Sequence, residues 1–249
     1  MLERIESQKK LTQTIHLTLT RECNIACTYC KPETDEPCRE LSTSEWKEMV
    51  DQLTDEYGPS CIIVKGGEPL IREDFFDIIS HIKSKGHIIS LVTNGTMITD
   101  ETMARKLENY VDHMEVSLDG VSPETTDCLK GEGVFDRIMT GVDLVRQTRV
   151  QLGLSFVILE ENQHILWDNL EVFMKERVGE ETAIRIDNRM SFPVDYSRES
   201  GDYFDFLRAA DKLACHGRIG DTSSATALEI DPGGHLHTLS SSGQGTKAI

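Results

Sequence analysis

Hydrophobic and polar positions along the chain follow two periods, one typical of strands and one typical of helices. In residues 14–20 every second residue is apolar, which predicts a strand. Behind a capping box of Ser42 and Glu45, apolar residues recur at helical spacing. The cycle recurs six times, with strands predicted at residues 14–20, 61–64, 87–92, 114–118, 152–159 and 183–186. Further helices are predicted from residue 75 to a stop at Gly86 and near residues 100–110, 134–148, 163–176 and 201–214.

This alternation predicts an α/β fold with a parallel sheet, because helical crossovers join parallel strands. Such strands can close partly into a barrel, and ligands then bind at their carboxyl ends. A chain of 249 residues is long enough for one large domain and too short for two. We expect the main domain at residues 1–214. Residues 215–249, rich in Gly, Ser and Thr, are predicted to form a small C-terminal extension with a flexible tail.

Charge and hydropathy narrow the choice of partners. Twenty-six Lys and Arg against forty-three Asp and Glu give a net charge of −17, which repels phosphate backbones and disfavours nucleic acid. The alternative explanation of this charge is solubility alone. No apolar run is long enough to span a bilayer, and the N-terminus has no apolar signal-peptide core. We therefore expect a cytoplasmic protein without a membrane partner.

The cysteines indicate metal binding. Seven is an odd number, and three of them, Cys23, Cys27 and Cys30, fall in one loop after the first predicted strand, which disfavours a disulfide framework. Three thiolates in one loop can hold three irons of a 4Fe–4S cluster and leave the fourth iron open to a small molecule's amine and carboxylate. The alternative is structural zinc, which usually takes two pairs of ligands. The sequence offers no second pair, although Cys38 is available as a single fourth ligand.

Four motifs carry a family resemblance. CNIACTYC at residues 23–30 is similar to the CxxxCxxC loop of the radical S-adenosylmethionine (SAM) superfamily. GGEP at residues 66–69, TNG at 93–95 and SLDG at 117–120 resemble that family's loops after the second, third and fourth strands. GGEP alone is also compatible with an ordinary turn. Because the four occur in order at consecutive strand ends, the chain is identified as a member over roughly residues 14–190.

The resemblance implies a partial (β/α)6 radical SAM barrel with one 4Fe–4S cluster held by Cys23, Cys27 and Cys30. Bound SAM would be cleaved to a 5′-deoxyadenosyl radical that abstracts hydrogen. The residues expected to contact SAM are Tyr29, Gly66, Gly67, Glu68, Asn94, Ser117, Asp119 and Lys130. The glycine backbone and the Glu68 side chain would hold the amino group, and Tyr29 would border the adenine. Ser117 and Asp119 would face the ribose, together with Asn94. Lys130 replaces a family arginine for the SAM carboxylate, with the charge but not the bidentate fork.

The C-terminal part resembles the opening of a SPASM-type extension, which in relatives binds auxiliary iron–sulfur clusters. Where those relatives have a further cysteine, this chain has Thr238 and Leu239, so we expect no auxiliary cluster. The sequence is therefore a branch without that cluster or stops short of the natural C-terminus. Cys215 is a candidate hydrogen-atom donor, as in some radical SAM epimerases, or a buried structural thiol. Cys38, Cys61 and Cys128 are expected to be structural.

The resemblance implies an enzyme that abstracts hydrogen from a peptide or small natural-product precursor, with a flavodoxin or ferredoxin as electron donor. One alternative is an epimerase of a sugar, aminocyclitol or peptide residue that uses Cys215. Another is a non-catalytic iron–sulfur or zinc scaffold. Further polar residues are candidates for substrate contacts or for surface ion pairs, namely His16, Arg185, Asp187 and Arg189. A metal role for His235 and His237 is a remaining alternative.

Overall fold

The computed structural model describes residues 14–30, 39–159, 162–179, 182–188, 227–233 and 236–239. The strands in these residues are β1 (Thr14–Thr18), β2 (Cys61–Lys65), β3 (Ile88–Thr93), β4 (His113–Ser117), β5 (Gln151–Ile158), β6 (Ala183–Asn188), β7 (Ala227–Ile230) and β8 (Leu236–Leu239). The α-helices are α1 (Thr43–Tyr57), α2 (Phe75–Ser84), α3 (Glu101–Glu108), α4 (Pro123–Lys130), α5 (Val134–Val145) and α6 (Gln163–Phe173). A 3₁₀ turn covers Pro69–Ile71, and a π-helical turn, Met174–Val178, follows α6.

The described strands form one sheet in the order β6-β5-β4-β3-β2-β1-β7-β8. Strands β1 to β6 run parallel, so their carboxyl ends lie along the same edge. This confirms the predicted α/β fold with helical crossovers and is consistent with a partial barrel. The strand bounds differ from the predicted ones by one or two residues.

Two strands come from the region that the sequence assigned to the C-terminal extension. Strand β7 pairs in parallel with β1, with Ile15 opposite Leu228, and β8 returns antiparallel to β7. This part of the chain therefore extends the main sheet. The proposed division after residue 214 stays a prediction, because residues 189–226 lie outside the described residues, as does the helix predicted at 201–214.

Helices α1 and α2 pack on one face of the sheet. Ile15 and Leu17 of β1 belong to the same buried cluster as Trp46 of α1 and Ile78 of α2. The alternate strand residues point to the opposite face, which carries half-buried polar side chains. Representative residues of this second face are Thr18, Lys65, Ser90 and Glu115.

Local signals explain the start of two helices. The predicted capping box at α1 is present, since Glu45 N donates to Ser42 Oγ (3.4 Å) and Ser42 N donates to Glu45 Oε2 (2.8 Å). Helix α4 was not predicted, because it is only eight residues long and contains two threonines and an aspartate, which are weak helix formers. Its Ser122-Pro123 start is a helix signal that the sequence does offer. Among the described residues, no helix combines the length and apolarity that a membrane span requires.

Candidate active site

The three clustered cysteines lie in a loop that leaves the carboxyl end of β1. We call residues 19–41 the cysteine loop; the structure describes 19–30 and 39–41 of it. Cys23 and Cys30 are exposed and Cys27 is partly buried. A turn joins the last two, since Cys30 N donates to Cys27 O (3.1 Å). Burial raises the pKa of the Cys27 thiol, and the nearby charge of Lys130 opposes this effect.

A second loop, residues 66–72, follows β2 and packs against the cysteine loop; we call it the glycine loop. Gly67 N donates to Thr20 O and Glu68 N donates to Glu22 O, both at 2.8 Å. A Cβ at Gly66 would lie 2.7 Å from Thr20 O, and one at Gly67 would lie 2.2 Å from Glu22 O. Glycine is therefore required at both positions, because the backbones of the two loops approach each other too closely for any side chain.

Glu68 joins the glycine loop to the end of β3. Its side chain is fully buried, and its carboxylate accepts hydrogen bonds from Leu70 N (3.0 Å), Thr93 Oγ1 (2.8 and 2.9 Å) and Asn94 N (2.7 Å). Burial raises the pKa of Glu68, while these hydrogen bonds favour the charged form. The carboxylate thus fixes the geometry of two adjacent strand ends.

Asn94 connects the end of β3 to the first cysteine. Its Nδ2 donates to Asn24 Oδ1 (2.8 Å) and lies 3.7 Å from Cys23 Sγ. Its Oδ1 accepts from Thr96 N (2.9 Å), and Asn24 Nδ2 donates to Thr96 Oγ1 (2.8 Å). An N–H directed at a cysteine sulfur suits an iron–sulfur ligand, because hydrogen bonds to the sulfurs tune the cluster.

Asp119 organises the opposite side of the site. Its backbone has a positive φ of 61°, and its Oδ1 accepts a hydrogen bond from Val157 N (2.7 Å). Its Oδ2 lies 2.8 Å from Lys130 Nζ and accepts a hydrogen bond from the Tyr29 hydroxyl. Lys130 Nζ also donates to Ser117 Oγ (3.1 Å). Burial and then the Asp119 charge raise the pKa of Tyr29 far above its usual value.

These contacts hold the cysteine loop from two sides. The Cys23 side is bound to the end of β3 through Asn94. The other side is bound to β4 and α4, because Thr28 N donates to Leu129 O (2.8 Å) and Tyr29 bonds to Asp119. The loop that carries the thiols is therefore placed by the ends of β3 and β4, in addition to the glycine loop after β2.

Comparison with known proteins decides the family. The sequence model of the radical SAM superfamily matches residues 17–173. The chain belongs to this superfamily. Its cofactors are accordingly a 4Fe–4S cluster and SAM.

Curated radical SAM relatives are similar over part of their length. The chain is 36% identical over 148 residues to Fe-coproporphyrin III synthase of Methanosarcina barkeri. This alignment covers 58% of this chain and 36% of that protein. It is 33% identical over 147 residues to mycofactocin maturase MftC of Mycolicibacterium smegmatis. This second alignment covers 58% of this chain and 37% of that protein. The match thus spans well under half of either relative.

Solved radical SAM structures share the fold. Crystal structures of SuiB from Streptococcus suis superpose with TM-scores of 0.66 in the form bound to SAM and 0.67 in the form bound to precursor peptide SuiA. The sequence identity is 14% and 13%, and the alignments cover 96% of this chain and 63% and 62% of SuiB. At this identity the similarity concerns the fold alone.

The residues of the site fit a 4Fe–4S cluster with SAM beside it. Cys23, Cys27 and Cys30 share one loop at the edge where ligands bind in parallel sheets. In the described part of the chain, no three His, Cys, Asp or Glu side chains converge on one metal position. A 4Fe–4S cluster does not require such convergence, because each thiolate binds a different iron and the three sulfurs stay apart.

The structure brings the predicted SAM-facing residues together along this edge but gives several of them partners within the protein. Asp119 is fully buried, and both of its carboxylate oxygens accept hydrogen bonds or an ion pair. Lys130 is 3% exposed and paired with Asp119. Gly67 is exposed and Gly66 partly so, which leaves backbone of the glycine loop open to a ligand.

Other sequence candidates lie elsewhere. Arg185 is exposed and its Nη2 lies 2.8 Å from Glu115 Oε1, as the ion-pair interpretation predicted. Cys61, expected to be structural, is only partly buried, because its neighbour Ile62 lies on the core side of β2. Cys128 is exposed. The candidates outside the described residues are Cys38, Arg189, Cys215 and His235. Asp187 and His237 belong to β6 and β8.

Sequence reasoning missed several residues that build the site. Asn162 Nδ2 donates to Asp119 O and to Val157 O, each at 2.8 Å, and so supports the turn after β4. A polar residue shortly after a strand was a usable signal for Asn162. Arg72 and Glu40 carried no such signal, because the contacts that join them to the cysteine loop and to each other link residues 19 to 53 positions apart.

Proposed function

We propose that this protein is a radical SAM enzyme in which Cys23, Cys27 and Cys30 bind the cluster and SAM occupies the adjacent glycine loop. One observation carries the proposal. The glycine loop is hydrogen-bonded to the cysteine loop through Gly67 and Glu68, so a molecule bound by the first loop lies beside metal held by the second. The reaction proposed is hydrogen abstraction from a peptide or a small natural-product precursor.

A 4Fe–4S cluster held by Cys23, Cys27 and Cys30 would supply the one electron needed for reductive cleavage of SAM to methionine and a 5′-deoxyadenosyl radical. The protein residues hold and orient the reactants. We assign the exposed backbone of Gly66 and Gly67 to the SAM amino group and Glu68 to holding that backbone in place. Asn94 orients the Cys23 side of the loop, and its contact with the sulfur supports that role.

The contacts of Lys130 support a different role from the one that the family arginine suggested. Its three N–H groups are directed at Asp119 Oδ2 (2.8 Å), Ser117 Oγ (3.1 Å) and the Tyr29 hydroxyl (3.4 Å). We therefore propose that Lys130 fixes Tyr29 and Asp119 rather than binding the SAM carboxylate directly. In this arrangement Tyr29 borders the adenine, and the bonds of its hydroxyl to Asp119 and Lys130 fix the orientation of its ring.

The substrate proposal depends on the relatives and on the polar face of the sheet. Mycofactocin maturase and SuiB, which binds a precursor peptide, support a peptide substrate. The half-buried face carries Lys65 and the Glu115–Arg185 pair, which suit a polar substrate. A flavodoxin or ferredoxin is proposed as electron donor, and the cytoplasmic location stays a prediction.

Anaerobic reconstitution tests the proposed function. The protein is reconstituted with iron and sulfide, reduced with dithionite and incubated with SAM, and 5′-deoxyadenosine and methionine are measured by mass spectrometry. Wild type is expected to form both products. Single Cys→Ala variants at 23, 27 and 30 should lose the cluster and the products, whereas Cys128→Ala is the matched control that keeps them. Absence of 5′-deoxyadenosine from a wild-type protein with a full cluster would contradict the proposal and favour a scaffold.

The epimerase alternative has its own test. A candidate peptide with deuterium at the target carbon is incubated with wild type and with Cys215→Ala. Transfer of deuterium to 5′-deoxyadenosine in both proteins, with loss of the product in the variant alone, would support Cys215 as hydrogen donor. Product formation by the variant would exclude this role.

A further inference from the structure

Arg72 ends the glycine loop, four residues after Glu68, and uses every hydrogen-bond donor of its side chain. The guanidinium has five N–H groups, and the side chain is 13% exposed. Its Nη1 donates to Leu19 O (3.0 Å) and Glu40 Oε2 (3.1 Å), and its Nη2 donates to Leu41 O (3.2 Å). Nε and Nη2 also donate to the two oxygens of Asp74, each at 2.9 Å.

Apart from Asp74, these partners of Arg72 lie at the two ends of the cysteine loop. Leu19 begins the loop, and Glu40 and Leu41 end it. Glu40 Oε1 accepts hydrogen bonds from Thr20 Oγ1 and Arg21 N, both at 2.8 Å. Glu40 therefore lies between the start of the loop and Arg72, and the guanidinium joins both ends to the glycine loop.

We propose that Arg72 is a positioning residue that closes the base of the cysteine loop and so presents Cys23, Cys27 and Cys30 to the cluster. It acts through Leu19, Glu40 and Leu41, and among the described residues it makes no hydrogen bond to a thiol. The inference rests on the proposed function for the assignment of these cysteines as ligands. A single side chain that bonds both ends of a long loop removes much of the conformational freedom that metal binding would otherwise have to restrict.

The planar guanidinium is essential to this role. Two of its edges face different partners at once, the Asp74 carboxylate on one side and two backbone carbonyls with Glu40 on the other. A lysine at this position has one nitrogen with three donors and cannot reach all of these acceptors. The pairing of β1 with β2 does not depend on Arg72, because ladder contacts and the bond from Leu19 N to Lys65 O (2.8 Å) hold it.

Hydrogen exchange of the apoprotein tests the inference without the cofactor. Arg72→Lys is compared with wild type and with Arg149→Lys, a matched control at an exposed arginine that bonds Glu108 Oε1 at 2.9 Å. In Arg72→Lys, amides of residues 19–30 should exchange roughly tenfold faster, while those of α5 keep their protection. The control should leave the cysteine loop unchanged.

Cluster stability gives the second measurement. After reconstitution, iron release to a chelator should be about 10- to 100-fold faster in Arg72→Lys, as for other groups that orient metal ligands. Glu40→Gln, which keeps the size of the side chain but removes its charge, should shift release in the same direction by a smaller factor.

The outcomes separate the two proposals. If Arg72→Lys leaves both the amide exchange of the cysteine loop and the iron release unchanged, the positioning role is wrong. It is also wrong if amide exchange accelerates by the same factor throughout the chain. If wild type binds no cluster at all, the proposed function fails, but the exchange of the apoprotein still decides whether Arg72 closes the loop.

Discussion

Lys130 and Asp119 form an ion pair that solvent barely reaches. Lys130 Nζ lies 2.8 Å from Asp119 Oδ2, and the two side chains are 2% and 0% exposed. Because a buried charge without its partner is costly, each residue depends on the other for its place in the structure. The pair also holds Tyr29 at the side of the cysteine loop.

Replacement of Lys130 by methionine should destabilise the apoprotein strongly. The substitution leaves the Asp119 carboxylate buried without a positive partner, which typically costs about 3–5 kcal/mol. Urea denaturation of wild type and variant measures the change in the free energy of unfolding. The double variant Lys130→Met with Asp119→Asn should recover part of the loss, because asparagine is neutral and tolerates the positive φ at this position. A double variant less stable than Lys130→Met would contradict the ion-pair explanation.

Substitution of Asn94 by aspartate should lower the reduction potential of the cluster. It removes the N–H groups directed at Cys23 Sγ and Asn24 and adds a negative charge, while the acceptor of the Thr96 bonds is kept. Hydrogen bonds to the sulfurs and nearby charge both set cluster potentials. A potentiometric titration followed by electron paramagnetic resonance gives the potential, and SAM cleavage should slow at least about tenfold. Asn109→Asp, at an exposed helix end, is the control; an equal shift there would refute a local effect.

A methyl group at Gly67 should abolish SAM binding. Its Cβ would stand 2.2 Å from Glu22 O, so Gly67→Ala must separate the two loops and break the bonds from Gly67 N and Glu68 N. Loss of two hydrogen bonds and the strain together predict a destabilisation of about 1–3 kcal/mol. SAM affinity is measured by equilibrium dialysis on reconstituted protein. The matched control is Gly153→Ala, where the nearest atom lies 3.5 Å from the new Cβ. Wild-type affinity in Gly67→Ala would disprove the steric argument.

The buried ring of His87 should make stability depend on pH. His87 is 2% exposed, its Nδ1 accepts from Ser60 N (3.0 Å), and its Nε2 lies 2.9 Å from Thr54 Oγ1. Burial lowers the pKa of His87, whereas the unfolded chain keeps the ordinary value of about 6.5. Below that pH the unfolded state binds a proton that the folded state lacks, so the free energy of unfolding falls as the pH drops. Above it, the contribution of His87 is complete.

Denaturation curves between pH 5 and pH 8 check this prediction, a range of roughly 1.5 units on either side of the histidine value. His87→Gln should flatten the dependence at the acidic end. His81→Gln, which removes a histidine paired with Asp51 on the surface, should keep it. An unchanged slope in His87→Gln would assign the effect to other groups.

The sequence predicted the elements whose signals are local. The alternation of Ile15 and Leu17 marks β1, and the Ser42–Glu45 box marks α1. Pairing of β7 with β1 could not be inferred, because it joins residues more than two hundred positions apart and depends on a closed fold. Helix α4 is held by tertiary contacts of Lys130 rather than by its own propensity.

The sequence predicted the candidate site as a set of motifs at strand ends, but it did not predict the hydrogen bonds that join the side chains of the site. Parallel strands place their carboxyl ends together, which is why motifs at residues 66–69, 93–95 and 117–120 converge. The bond between Tyr29 and Asp119, ninety residues apart, and the two ends of the cysteine loop at Arg72 have no local signature. Spacing shows which residues can take part, whereas only the fold shows which side chains already have partners.

Because strand residues alternate between the two faces of the sheet, only every second position is constrained by core packing during evolution. Residues such as Ile62 and Val64 are confined to the helix-covered core, where a change of volume alters stability. Their neighbours Ile63 and Lys65 point the other way, into partly open space, where substitution leaves the core packing intact. Under the proposed function, exchange of every second residue of a strand would change the face proposed for the substrate, while the cofactor edge and the core stay the same.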